Sequence, residues 1–432
     1  MAAPVLSLDE AGTIARELFG LHATRVSSLG SCQDANFRIV ISAPVDAARA
    51  DAASQQQEAS FVLKVSNQQF SHAELDLQNE AMFHIAARWS TGSAALPECA
   101  LPKPIAHIRA HWPHEPSASP AADASSSPYI ACALLGAQHD APHWVRCVTF
   151  VDGTILAEIP RITGASYAAI GSLLGRVTGA LADLSHAAAD RRMDFDVRHA
   201  RAVLAAFGSD IVDAGQQRRE RLECASRRAW ERIVPHEAAL RAQIVHGDLN
   251  HDNVLACVIS EQHVKACDST GSSQSAVAPV AADCRMVGVI DFGDVCRTWI
   301  VGDLAVAAAS LMMRQPPSAL TSPAASALSA SGIVSAAAAA EPFDTVAVAC
   351  AVAAGFHGQL PLRDAELSVY WPLLLVAAIV LCTMVEHNIA IDPTNAYNCV
   401  DRENCWLIFE RIAALDFDSG EAALRAALNA PK

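Results

Sequence analysis

Two stretches decide the reading of this chain: Ile244-Val-His-Gly-Asp-Leu-Asn-His-Asp-Asn-Val-Leu255 and Met286-Val-Gly-Val-Ile-Asp-Phe-Gly-Asp294. Each opens as a short apolar run and breaks into turn-forming polar residues. The first returns to apolar residues at Val254. The pattern predicts strand, polar loop, strand, then a further strand ending in a turn. The loops carry Asp248, Asn253 and Asp291. An Asx-rich turn is the bland reading of Asp248 and Asn253, because Asp and Asn favour turns for backbone reasons alone. Three things outweigh it: the strands on both sides, the Asp-Phe-Gly after the second apolar run, and a lysine in an upstream strand.

Asp-x-x-x-x-Asn followed by Asp-Phe-Gly is the spacing of a kinase catalytic loop and metal loop. A transferring phosphoryl group keeps its charge on oxygens, so catalysis is mainly positioning and charge neutralisation. In that chemistry Asp248 accepts the proton of the attacking hydroxyl. Asn253 and Asp291 supply the oxygen ligands that a hard cation such as Mg²⁺ prefers. His246 has a second reading, as a brace of the loop by hydrogen bonds. Lys64 is the only charge in Phe61-Val-Leu-Lys-Val65. It is read as reaching the nucleotide phosphates, against the alternative of an edge-strand lysine that deters aggregation. Its acidic partner belongs on the following helix, where periodicity does not choose among Glu74, Asp76 and Glu80. The turn from Gly30 and Ser31 to Asn36 is placed to cover the phosphates. With one glycine it is no G-x-G-x-x-G, and it gains meaning only from the order of the parts behind it.

Working outward, residues 7–19 read as an amphipathic helix with a Ser7/Glu10 capping box. Strands follow at 26–29, 36–41 and 61–65, then a helix at about 73–89. Further strands are expected at 129–135 and 145–151. Beyond Asp152-Gly153 helical patterning dominates, at 165–187, 198–208, 215–233, 302–313, 343–356, 364–387 and 402–416. Stretches rich in Ala, Ser, Gln or Pro near 43–58, 112–128, 268–283 and 315–340 read as low-complexity inserts. This is an α+β order. It predicts a bilobal, protein-kinase-like fold: a small antiparallel sheet lobe over residues 1–150, and a larger, mainly helical lobe over residues 151–432. From Asp294 the chain reaches Asp303-Leu-Ala within one loop length, with no A-P-E element to seat a peptide. The acceptor is therefore expected to be a small molecule, in a pocket built by the C-terminal helices.

Composition narrows the class further. The 432 residues are 52% hydrophobic and 18% charged, which excludes a disordered polyelectrolyte. A net charge of −15 argues against nucleic acid or an anionic membrane as partner and suits a cationic small molecule. Thirteen cysteines, scattered and without a C-x-x-C pair, read as reduced thiols rather than a disulfide frame or a zinc site. The N-terminus lacks a basic n-region and a full apolar h-region, so a cytoplasmic location is expected. Val369–Val385 is long enough to test as a membrane span. Pro372 at its start, the flanking Glu366 and Glu386, and the lack of a Lys/Arg cluster favour a buried core helix.

At these residues the chain resembles the aminoglycoside phosphotransferase/choline kinase superfamily, hydroxylysine kinases in particular. The resemblance is carried by Leu75-Asp-Leu-Gln-Asn79, Val145-Arg-Cys-Val-Thr-Phe-Val-Asp-Gly-Thr154 and His246-Gly-Asp-Leu-Asn250. Gly288-Val-Ile-Asp-Phe-Gly-Asp294, Gly302-Asp-Leu-Ala305 and Pro361-Leu-Arg-Asp-Ala-Glu-Leu367 extend it. It implies Asp248 as base, Asn253 and Asp291 as Mg²⁺ ligands, and Lys64 as the phosphate-binding lysine. It also implies Asp76, with Glu80 as second choice, as the helix acid, and Thr149, Phe150 and Val151 as the nucleotide-binding hinge. The reaction implied is transfer from GTP or ATP to an amino alcohol, 5-hydroxy-L-lysine first. Homoserine, choline, ethanolamine or an aminoglycoside are other acceptors, and a non-catalytic nucleotide-binding pseudokinase is the alternative class. Asp294, Asp303 and Asp196 are candidates to face the acceptor's amines and His357 its carboxylate, each against a plain capping or bracing role. His251-Asp252 stands in the reverse of the order usual in hydroxylysine kinases. That departure, with the inserts, bears on the acceptor rather than on the phosphotransfer parts.

Overall fold

The computed structural model describes residues 4–31, 34–42, 58–90, 96, 98–112, 127–135, 141–212, 217–259, 281–313, 344–394, 399 and 402–429. Most of the four inserts, and Cys32 and Gln33 of the candidate phosphate loop, lie outside the described residues. The chain forms two compact units. One comprises Met1–Arg88, Ala100–Asp152 and Ser185–Ala189; the other comprises Trp89–Cys99, Gly153–Leu184 and Asp190–Lys432.

The first unit is built on a six-stranded sheet of β1 (Ala23–Leu29), β2 (Ala35–Ser42), β3 (Glu58–Val65), β4 (His111–Trp112), β5 (Ala131–Leu135) and β6 (Ala141–Thr149). The order is β1-β2-β3-β6-β5-β4. It is antiparallel except at one edge, where β4 runs parallel to β5. The period-two alternation of each strand divides the sheet into two faces. Phe37, Ile39, Leu63, Val65, Val145 and Cys147 form one core with Ala11, Ile14 and Leu18 of α1 (Leu8–Phe19). Ile14, Leu18, Ile39 and Leu63 are fully buried, each contributing about 2 kcal/mol. The capping box of Ser7 and Glu10 starts α1 as the sequence predicts. The other face carries Asn36, Lys64 and Arg146, directly opposite one another on β2, β3 and β6. Helix α2 (His72–Trp89) lies toward this face, with the His72 ring edge-on to Trp144 at 5.3 Å.

The second unit holds α3 (Gly164–Ala180), α4 (Ala200–Phe207), α5 (Arg218–Ile233), α6 (Ile300–Met313), α7 (Thr345–His357), α8 (Asp364–Ile391), α9 (Arg402–Ala413) and α10 (Phe417–Asn429). Helix α8 is its axis, packed against α4, α5, α6, α9 and α10. Among the described residues it is the one helix long and apolar enough to cross a membrane, with a mean hydropathy of 2.2. Yet 89% of that apolar window is buried inside the protein. The buried Glu386 near its end is held by a two-pronged Arg402 pair at 2.9 Å and by the Trp406 indole N–H. Helices α3 and α7 approach so closely that a Cβ on Gly171 would stand 1.9 Å from the Val352 carbonyl oxygen.

Three expectations are corrected. Helix α3 stops at Ala180 rather than near 187, because the tightened bonds of Leu181 to Thr178 and Leu184 to Leu181 wind it off. The helix expected at 402–416 ends at Ala413, and a further helix that was not expected starts at Phe417, where Asp416 accepts the Ser419 amide. The proposed inserts are also narrower at their described edges: Glu58 begins β3 and Trp112 ends β4.

Five short strands complete the second unit: β7 (Thr154–Ile155), β8 (Ala242–Val245), β9 (Val254–Val258), β10 (Cys284–Val289) and β11 (Cys296–Trp299). Strand β9 pairs antiparallel with β10, and β8 pairs antiparallel with β11. The loop between β8 and β9 therefore lies beside the loop between β10 and β11. These are the two loops that the sequence singles out.

Candidate active site

The first loop is closed on itself by side-chain amides. Asn250 Nδ2 donates to Asp248 Oδ1 at 2.9 Å, and Asn253 Nδ2 donates to Asp248 Oδ2 at 3.0 Å and to the Asp248 carbonyl at 2.8 Å. Asn250 Oδ1 in turn accepts the backbone N–H of Asp252 and of Asn253. The Asp248 carboxylate is thus held by two amides. Asn253 spends its N–H₂ group on Asp248, so its side-chain carbonyl oxygen could serve a cation. Asn250 was missed by the sequence reading, although its place two residues after Asp248 was the available signal.

His246 is fully buried and braces the loop, the second of its two readings. Its Nδ1 accepts the Asp248 N–H at 3.3 Å, so its Nε2–H donates to the Ile290 carbonyl. Burial pushes its pKa down to about 4, against the opposing pull of Asp291 and of the Ile290 carbonyl. A neutral ring is what this bridge between the two loops requires. Gly247 has φ +86°, and a Cβ there would meet the Asp294 carbonyl oxygen at 2.2 Å. Only glycine fits.

The second loop carries Asp291 in the left-handed region, at φ +57°, a conformation that Asp tolerates better than most residues. Its Oδ1 accepts the Gly293 N–H at 3.1 Å. Burial pushes the Asp248 carboxyl well above its ordinary range, and Asp294, Asp291 and Asp252 push it further. Asp248, Asn253, Asp291 and Asp294 are therefore brought together. Such crowding of carboxylates is what a divalent cation relieves, and the oxygens of Asn253 and Asp291 suit a hard one. Among the described residues no group of three His, Cys, Asp or Glu makes a closed metal cage. A cation here would complete its shell with phosphate and water oxygens.

The acceptor-side candidates divide. Asp303 is buried, and its Oδ1 accepts the Gly247 N–H at 3.0 Å. It braces the loop between β8 and β9, the bracing alternative weighed for it from the sequence. Burial pushes its pKa up to about 7, and Asp196 pushes it in the same direction. Asp196 lines a small cavity with Gly247, Asp294, Cys296, Thr298 and Asp303. The expectation that Asp196 faces an amine gives way to bracing. Its oxygens are engaged by the Arg198 guanidinium at 2.6 Å, the Arg198 N–H and the Thr298 hydroxyl. His357 accepts the Leu362 N–H at 3.1 Å in the turn between α7 and α8, again a bracing role.

In the sheet unit, Lys64 sits between Asn36 and Arg146 on the face away from α1. Of its candidate partners, Glu74 is spent on the Ser71 cap and Glu80 is exposed. Asp76 is half-buried, with His186 Nε2 at 3.5 Å. In the turn before β2, Ser31 Oγ accepts the Asp34 N–H and Asp34 Oδ1 accepts the Asn67 N–H, while Gly30 faces open space. Thr149 is fixed to Lys103 at 2.9 Å, the Phe150 N–H donates to the Ser60 carbonyl, and Val151 is buried. The Arg38 guanidinium lies 4.0 Å over the Phe150 ring.

Comparison with known proteins bears on the family and the fold. The model of the APH phosphotransferase enzyme family matches residues 52–267, half of the chain. The chain belongs to that family. The structure is similar to an amicoumacin kinase in complex with AMP-PNP, Ca²⁺ and Ami, with a TM-score of 0.54 at 12% identity, covering 96% of this chain and 97% of that one. It is equally similar to a microcompartment-associated aminopropanol kinase, with a TM-score of 0.54 at 14% identity, covering 98% and 99%. A GDP complex of an aminoglycoside 2'-phosphotransferase follows, with a TM-score of 0.51 at 11% identity, covering 95% and 99%. No curated protein matches the chain. The chain thus belongs to a phosphotransferase enzyme family and has the kinase-like fold of a sheet lobe and a helical lobe.

Proposed function

We propose that the protein transfers the γ-phosphoryl group of GTP or ATP to the hydroxyl of a small amino alcohol, with 5-hydroxy-L-lysine as the first acceptor to test. The convergence of Asp248, Asn253 and Asp291 on two adjoining loops carries this reading. Asp248 is assigned as the base for the acceptor hydroxyl, its carboxylate aimed by Asn250 and Asn253. Asn253 and Asp291 would hold Mg²⁺, which supplies charge neutralisation at the phosphates. Lys64, with Asp76 or Glu80 as its acid, is assigned to the phosphates, together with Gly30, Ser31 and Asn36. Thr149, Phe150 and Val151 are assigned to the base of the nucleotide. Asp294 and Asp303, which line the small cavity beside Gly247, remain the candidates for a cationic acceptor, in keeping with the net charge of −15. A cytoplasmic setting is part of this reading.

The test is purified protein with Mg²⁺ and GTP or ATP against hydroxylysine, homoserine, ethanolamine, choline and an aminoglycoside panel. Turnover of hydroxylysine above the rest supports the reading. Turnover of another acceptor with none of hydroxylysine reassigns the substrate. Nucleotide binding with no transfer to any acceptor returns the pseudokinase.

A further inference from the structure

Residues 190–198 run alongside 293–298 and are stitched to them. Asp190 pairs with Arg297 at 3.1 Å, Arg198 donates to the Arg297 carbonyl, and Asp196 takes the Thr298 hydroxyl. These contacts fall on β11. Arg191 differs: it reaches the loop between Asp291 and β11. Its Nε donates to the Val295 carbonyl at 3.0 Å, and its Nη2 donates to the Gly293 carbonyl. The guanidinium thus straddles Asp294 and pins the carbonyl two residues beyond Asp291.

We propose that Arg191 is a positioning residue for metal binding, fixing the loop that carries Asp291 by clamping the Gly293 and Val295 carbonyls. The inference rests on the assignment of Asp291 as a metal ligand under the proposed function. Asp291 holds a left-handed backbone, a conformation that persists only where neighbouring contacts fix it, and the two carbonyls that Arg191 grips lie on the segment directly after it. The two-carbonyl span suits the rigid fork of Arg and not the single ammonium of Lys.

Arg191→Gln and Arg191→Lys test this by two readouts that do not require turnover. The first is Mn²⁺ affinity, from the electron paramagnetic resonance of free Mn²⁺ in the presence of AMP-PNP. The second is hydrogen exchange of the 292–296 amides in metal-free protein. Both variants are expected to weaken Mn²⁺ about 10- to 100-fold, the usual cost of losing a group that orients a ligand. Nucleotide affinity without metal should stay unchanged, and exchange should rise at 292–296 but not in α8. Wild-type Mn²⁺ affinity and wild-type exchange in both variants would overturn the clamp alone. If the wild-type protein itself binds no Mn²⁺ with nucleotide, the assignment of Asp291 fails and the clamp's metal role falls with it. If Arg191→Gln does not fold, Arg191→Lys, which keeps the charge, decides. Wild-type values for it overturn the proposal.

Discussion

Asp303 offers the sharpest perturbation. It is buried, gives one oxygen to the Gly247 N–H and leaves its Oδ2 without a hydrogen-bond partner. Its pKa rises from 3.8 to about 7, mainly through burial. A folded carboxyl with a raised pKa binds its proton more tightly than the unfolded chain does. Its contribution to stability is therefore full below pH 3.8 and is lost as the pH climbs toward 7. Three units correspond to an upper bound of about 4 kcal/mol, of which about 2–3 kcal/mol falls between pH 5 and pH 8. Asp303→Asn mimics the protonated acid and keeps the acceptor for Gly247. It should gain on wild type as the pH rises, by roughly 3 °C in melting temperature between pH 5 and pH 8. Thermal melts of both proteins across that range are the assay. A wild-type-minus-variant gap that does not move with pH would refute the reasoning.

Other outcomes follow from the same geometry. Gly247→Ala sets a Cβ against the Asp294 carbonyl oxygen at 2.2 Å, so the two loops must separate. Activity should fall about 100-fold or more, while the melting temperature shifts only modestly; near-normal kcat would contradict the close approach. The Asp248 carboxyl is raised by burial and by three neighbouring carboxylates, so the rate should fall as the pH drops through that raised value. Raising Mg²⁺ should move the acidic limb downward, and pH–rate profiles at two Mg²⁺ concentrations check this. Arg402→Ala leaves Glu386 buried with Arg218 at 3.6 Å, the Trp406 N–H and the Val212 backbone bond. A loss of about 3 kcal/mol is expected in urea melts at pH 7. Because Arg402 holds the Glu386 pKa low, the deficit should shrink as the pH falls below the ordinary carboxylate range.

The chemistry-bearing loops were legible in the sequence because their logic is local. Asp248 and Asn253 share one turn, and the flanking apolar runs are their own strands. The core role of α8 was legible for the same reason, from Pro372 and the glutamates at its ends. Contacts between distant segments were not. Nothing at Asp303 announces that its partner is the Gly247 amide, 56 residues away. Arg191 stands 102 residues from Gly293. The bracing of Asp196 by its near neighbour Arg198 is local, but its bond to Thr298 spans 102 residues. Strands of two to four residues, such as β4, β7 and β11, carry too few side chains for an alternation to show.

The central claim is that two loops of this chain form a phosphotransfer centre with Asp248 as its base. Mass spectrometry of the acceptor panel, incubated with Mg²⁺ and GTP or ATP and with wild type or Asp248→Asn, tests it most directly. A singly phosphorylated acceptor and the matching nucleoside diphosphate are expected with wild type. With Asp248→Asn a loss of about 100-fold or more and retained nucleotide affinity are expected. Equal product formation by the two proteins, or nucleotide binding by wild type without product from any acceptor, would contradict the claim.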